Sequence, residues 1–522
     1  DATAGFGTAG GTWAAPTTNN STQGWSTSSA GTSSLSGTTT TTTSNALNFG
    51  TSSAGLAAGT ITVSGNVSSA GITFGNASGN ITLSGGNITL NGDIGSSAAS
   101  PGITHTITSN ITLNGAARGF GSISNQRFIF TGVIGGASDL TADTGNGVGA
   151  ITLNGMNTFT GNFQVTRGQV NFNSLANAGQ NSALGAGSRI TSGGGGGQTP
   201  YFWYTGASSS SSNRTWNLQG STTTITAQNG SLLLSGNFNA ISNFDSTIQL
   251  TGTADSGTNE ISGVISNAPT GYNTIVTIAN SAPQGGSTEA GFWILSGNNS
   301  YNGTTTISTN STLRIAHANA LGTTANGTWV QSGSALELAG GISVGAEALT
   351  LSSTGISSGG GLRNISGNNS YAGLITLGAA ARINSDANTL TLSGGITGTN
   401  NLTIGGAGDT SISGNVTTST GTLTKDGNGT LVLTGNNTYN GTTTINTGGV
   451  LEINNVIHAA PISLNTGGTL RGVGVNAREN GVITIPAGAS VTLASGASAA
   501  DVLTLGSAAN SINASAGTAT IN

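Results

Sequence analysis

An all-β chain wound as a β-solenoid is what this sequence predicts, and two observations carry the prediction. The first is alternation. ITLSGGNITLNGDI (81–94) and NTLTLSGGITGTNNLTIGG (388–406) put Ile and Leu at every second position between turn-forming Gly and Asn. The second is recurrence. Residues 431–454 hold three short strands, with Leu431 and Leu433, Thr443 and Ile445, and Leu451 and Ile453 on their inner faces. Tight Asn/Gly corners separate them. The corner Asn446-Thr447-Gly448-Gly449-Val450-Leu451 returns as Asn465-Thr466-Gly467-Gly468-Thr469-Leu470. Alternation alone also suits a hairpin sheet, but a corner that returns after one coil is what stacking predicts.

A longer motif marks the same architecture. LSGNNSYNGTTTIS (295–308), ISGNNSYAGLITL (365–377), LNGMNTFTGNFQV (153–165) and LTGNNTYNGTTTI (433–445) share one frame. It reads apolar, Ser/Thr/Asn, Gly, any residue, Asn, Ser/Thr, Tyr/Phe, any residue, Gly. Gly297, Gly367 and Gly435 are almost evenly spaced along the chain. At roughly 20 residues per coil this predicts a super-period of three to four coils, and about 25 coils in all.

These residues resemble the autotransporter-associated β-strand repeat of bacterial surface proteins, also called the passenger-associated transport repeat. The best match is 423–453, where Lys425, Gly427, Gly429 and Thr430 precede the core motif. Residues 467–496 are similar to the segment that often follows in that family. The resemblance implies a right-handed parallel β-helix, secreted or exported to the outer surface of a bacterium. It implies no catalytic residues. No translocator barrel follows the repeats, so the expectation is a passenger portion or a secreted relative.

Composition bounds the function. Only 5% of the 522 residues are charged, against about 25% in an ordinary soluble protein. The polar surface must therefore be Thr, Ser and Asn. Such ladders suit a solenoid, where like residues stack at about 4.8 Å and bond along the axis. The net charge is −5 and no basic run occurs, so nucleic acid is not an expected partner. No apolar run is long enough to span a membrane. Cysteine is absent, which excludes disulfides and thiolate metal sites.

Four regions follow in order. Residues 1–60 are an irregular N-terminal cap or attachment segment, with Trp13 and Trp25 among Ser, Thr and Asn. Residues 61–190 are regular solenoid, with a loop or short helix expected at 175–184. Residues 191–290 are irregular and carry an aromatic insertion, Tyr201, Phe202, Trp203 and Tyr204, with Trp216 nearby. These five are candidates for binding a partner or glycan, or for filling a wide coil. Residues 291–522 are solenoid with the clearest repeats.

The chemistry of enzymes finds little support. Asp386, Asp409 and Asp426, with Arg382 close by, have the spacing of stacked carboxylates, as a polysaccharide lyase or hydrolase requires. Sixteen acidic residues spread over this many coils give such spacing by chance. His105, His317 and His458 are isolated, so no metal site and no cofactor is expected. The leading expectation is a non-enzymatic fibre, stalk or matrix subunit, joining copies of itself head to tail or meeting other cell-surface components. The alternative is an adhesin passenger that binds glycans or other cells.

Overall fold

The computed structural model describes residues 7–521, leaving out 20–23, 29–34, 52–54, 97–101, 122–125, 146–148, 253–257, 281–290, 498–502, 506–512, 515–517 and several single residues and pairs. It is an all-β parallel solenoid of about 18 turns, divided into two compact units. Unit 1 holds residues 1–274 with 281–289; unit 2 holds 275–280 with 290–522. Among the described residues the one helical element is a short 3-10 turn at Ile356–Ser358. The segment 175–184 is a loop, not a helix.

Unit 1 stacks parallel strands on three faces. One face runs through Gly59–Val63, Ile81–Ser84, Thr104–Ile107, Arg127–Phe130 and Ala150–Leu153. Its inward positions pair Ile61 with Leu83, Leu83 with Ile107, Ile107 with Phe130 and Phe130 with Leu153. Each of these steps is longer than the sequence-based coil length, so the turns are correspondingly fewer than expected. Later coils vary: Ala150 pairs with Gln169, but Gly168 pairs with Pro200, because the loop at 173–188 is inserted between them. Rings fill much of this interior. Phe49 stacks on Phe74 at 5.4 Å, Phe74 on His105 at 4.2 Å, and Phe120 on Phe130 at 4.6 Å. Burial pushes the His105 imidazole down to about 4, so it is neutral and substitutes for a ring in the stack.

One face of the first coil of unit 1 gains an extra rung. Thr12–Trp13 adds a parallel rung to Gly59–Val63. Thr17–Thr18 and Thr38–Thr39 then form an antiparallel ribbon. Trp13 is buried, donates from Nε1 to Thr41 Oγ1 at 2.9 Å, and meets Trp25 edge-on at 5.8 Å. A change from parallel to antiparallel pairing ends the ladder that another chain would extend.

Unit 2 also has three faces, and its interior is mostly Leu and Ile. The first face stacks Thr274–Ile278, Thr305–Ile307, Thr328–Val330, Leu349–Leu351, Ile375–Leu377, Ile396–Gly398 and Val416–Thr417. The second begins at Phe292–Leu295 and Thr312–Ile315, and the third at Ser343–Val344 and Asn369–Tyr371. Ile375, Ile396 and Val416 stack on successive coils whose length is close to the expected one.

Candidate functional site

Three of the motif copies are corners at which one face of the coil carries no strand; the 365–377 copy keeps a short one there, Asn369–Tyr371. In unit 2, Phe292–Leu295 leads through 296–304 directly to Thr305–Ile307, and Thr430–Leu433 leads through 434–442 to Thr443–Ile445. At these corners the backbone reaches the previous coil with few bonds, such as Thr158 N to Ile134 O and Thr438 N to Val416 O, and the remaining buried backbone groups must still be paired. The motif asparagine supplies that pair. Asn437 Oδ1 accepts from Val416 N at 2.9 Å, and Asn369 Oδ1 from Ile342 N at 2.6 Å. In unit 1, Asn157 Oδ1 accepts from Ile134 N at 2.8 Å, and its Nδ2 donates onward to Ala183 O at 2.7 Å. Asn299 Nδ2 donates to Ala320 O at 2.7 Å. All four are buried, and each carboxamide makes a bond that a peptide group would otherwise make, although Asn437 Nδ2 has no partner.

The glycines of the frame allow coils to touch. A Cβ on Gly161 would lie 2.1 Å from Ser138 O, on Gly373 1.6 Å from Glu347 O, and on Gly441 2.2 Å from Gly421 O. The super-period is looser than the sequence suggests. The 295–308 and 365–377 copies turn between the same two faces, but the 433–445 copy turns one face later. The frame thus marks a kind of corner rather than a fixed angular position.

The motif tyrosine has a partner four residues on. Tyr301 and Thr305 share a 2.7 Å hydrogen bond, as do Tyr439 and Thr443. The unit 1 copy has Phe159 and Phe163 at the same places, with ring centres 6.4 Å apart. The third copy has Tyr371 and Ile375, and the buried Tyr371 hydroxyl has no partner. Burial, and then the nearby Glu347, raise that phenol well above its ordinary value. Glu347 is 3% exposed; Thr328 Oγ1 donates to its Oε1 at 3.0 Å, and its Oε2 is unpaired. Burial pushes its carboxyl up to about 7, against the opposing Thr328 hydrogen bond.

Several of the scarce charges pair from coil to coil. On the second face of unit 2, Arg314, Glu337 and Arg363 occupy successive rungs. Arg314 Nη2 lies 2.8 Å from Glu337 Oε2, Arg363 Nη1 lies 3.1 Å from Glu337 Oε1, and Arg363 Nε pairs with Asp386. Arg382 grips Asp426 with two 2.8 Å bonds. Arg471 pairs with Glu452 in unit 2, and Arg167 with Asp143 in unit 1. Lys425 is buried and donates to the Asp426 and Gly427 carbonyls; burial pushes its amine down to about 8.

Asp409 lies on a different face from Asp386 and Asp426, and its Oδ1 accepts Thr430 N at 2.7 Å. The three carboxylates therefore do not converge. Asn and Asp make this corner bond repeatedly. Asp139 takes Asn162 N, Asn237 takes Val264 N, Asn401 takes Thr422 N and Asn415 takes Asn436 N. That habit explains the Asn richness, although composition alone does not reveal which Asn would adopt it. Among the described residues no group of three or more His, Cys, Asp or Glu is placed to hold a metal ion. The His458 side chain lies outside them.

The aromatic insertion divides. Phe202, Tyr204 and Trp216 are core residues: Phe202 meets Trp216 edge-on at 4.9 Å, Trp216 stacks on Phe238 at 5.3 Å, and Tyr204 packs against Phe172 at 5.5 Å. Tyr201 and Trp203 face outward. At the N-terminal end of unit 1, Trp13 and Trp25 border a cavity of about 550 Å³ with Leu47, Phe49 and Ile61. No helix among the described residues is long and apolar enough to cross a membrane, which says nothing of strands.

Comparison with known proteins adds one result. No curated protein and no solved structure matches the chain. The profile of the passenger-associated-transport-repeat matches residues 288–315 and 423–453, which include the 295–308 and 433–445 corners. The chain thus carries the passenger-associated transport repeat, consistent with the passenger repeat proteins of autotransporters.

Proposed function

We propose that the chain is a non-enzymatic, passenger-type surface protein of a bacterium, displayed outside the cell as single chains rather than polymerised. The observation that carries this reading is the repeat itself. Its Asn, Gly and Tyr are taken up in stacking coils, and its few charges in pinning them. Such a chain is built to persist, with its outward faces as the working surface. The rung and antiparallel ribbon added at the Gly59–Val63 face of unit 1 speak against head-to-tail joining through that face.

The test joins the chain to an outer-membrane translocator barrel in a Gram-negative host. The expected result is a folded, antibody-accessible product on intact cells that resists proteinase K. A product degraded inside the cell would overturn the passenger reading. Purified chain should remain one chain in mass by light scattering at every concentration; filaments would overturn single display and restore the fibre subunit. A second reading, an adhesin that binds glycans, is favoured by the outward aromatics set among hydroxyls, Tyr201 and Trp203 in unit 1.

A further inference from the structure

We infer that the first face of unit 2, centred on Trp329, binds a neutral polysaccharide laid along the coil axis. This rests on the adhesin reading and names its ligand class and site. The outward rungs of this face are in register as Thr277, Thr306, Trp329, Thr350, Thr376, Thr397 and Thr417. Six are threonine, which shows what the position needs for strand formation and stacking. The indole is not needed for either. It is 52% exposed, where burial would have been the favourable place for so large an apolar group.

The other two faces differ in charge. The second carries Arg314, Glu337 and Arg363 on its central rungs, and the third carries Glu452 and Arg471. Among the described residues, the Trp329 face has no charged residue on its rungs. A ligand matched to it is uncharged, has apolar C–H surface for the indole, and has hydroxyls at short regular intervals for threonines about 4.8 Å apart. A pyranose chain meets all three conditions. An anionic glycan or nucleic acid would find no counter-charge here.

The full chain is tested for retention on cellulose, chitin and crosslinked dextran, with anionic alginate alongside, for wild type, Trp329→Ala, Trp329→Tyr and the double variant Tyr201→Ala/Trp203→Ala. Unchanged circular dichroism verifies folding. The inference expects binding to at least one neutral matrix, weakened about tenfold or more by Trp329→Ala and largely kept by Trp329→Tyr. Retention lost only in the double variant would overturn the inference and leave the adhesin reading standing. Retention on alginate alone would overturn it too. No retention by any chain would overturn both, while the surface-display test stands apart.

Discussion

The corner at 153–165 in unit 1 and the corner at 365–377 in unit 2 follow one frame and differ in the pair of side chains that closes them. The first closes with Phe159 and Phe163, ring against ring. The second closes with Tyr371 and Ile375, leaving a buried hydroxyl with no hydrogen-bond partner. Both keep the buried Asn and the glycine under a carbonyl. Backbone pairing and coil contact are therefore the constant parts of the frame, and the filling of the corner varies with its neighbours. Unit 1 fills much of its interior with rings, whereas unit 2 relies on Leu and Ile and tolerates a polar pocket around Glu347.

Breaking what the two corners share should do most damage. Gly373→Ala would force a methyl to 1.6 Å from Glu347 O, and Gly161→Ala to 2.1 Å from Ser138 O. Each should cost about 3 kcal/mol or more, since the obstacle is backbone. Hydrogen exchange should rise in the coils on either side of the substitution and little elsewhere, because solenoid coils depend on their nearest neighbours. Equal loss of protection across the whole unit would contradict that locality.

Glu347 separates the two corners by pH. Its carboxyl has an ordinary value of 4.5 and is pushed up to about 7 in the fold. Below about pH 4.5 it is protonated whether folded or unfolded, and costs nothing. As pH rises towards 7 the unfolded chain releases the proton while the folded one holds it, so stability falls and then levels off. Glu347→Gln should therefore stabilise unit 2 by about 2 kcal/mol at pH 8 and hardly at all at pH 4. Urea unfolding at the two pH values reads this directly. The unit 1 corner has Ser138 at the matching contact and should show no such dependence.

Next in size is the asparagine. Asn437→Ala leaves Val416 N–H buried and unpaired, at a cost of about 2 kcal/mol. Asn157→Ala in unit 1 should cost at least as much, because Asn157 also donates to Ala183 O. Thermal unfolding of the two variants against wild type compares them.

Much of this was legible beforehand, for physical reasons. Alternation and recurrence of Asn/Gly corners reveal coils because stacking repeats the same demand on the backbone each turn. Coil length was not legible. Inserted loops such as 173–188 add residues without disturbing the strand pattern on either side. The fate of Phe202, Tyr204 and Trp216 was half legible: alternation within 200–204 separates inward from outward, but which set faces the core depends on register. Trp329 was not legible, because a lone aromatic in a Thr-rich stretch has no local signature. Its meaning lies in Thr306 and Thr350, on the coils before and after it.

The finest difference between corners lies in the tyrosine hydroxyl. Tyr439→Phe removes a hydroxyl bonded to Thr443 and should cost about 1 kcal/mol, leaving the Thr443 hydroxyl without that bond. Tyr371→Phe removes a hydroxyl that has no partner, so it should be neutral or stabilise by up to about 1 kcal/mol. The sign should reverse between two tyrosines at the same place in one frame. Ile375→Thr should then make Tyr371 behave like Tyr439, because it restores the residue four places on. A double-mutant cycle of Tyr371→Phe and Ile375→Thr would show a coupling of about 1 kcal/mol. Absence of coupling would mean that Glu347, rather than residue 375, governs the Tyr371 hydroxyl, and repeating the cycle in Glu347→Gln would expose that.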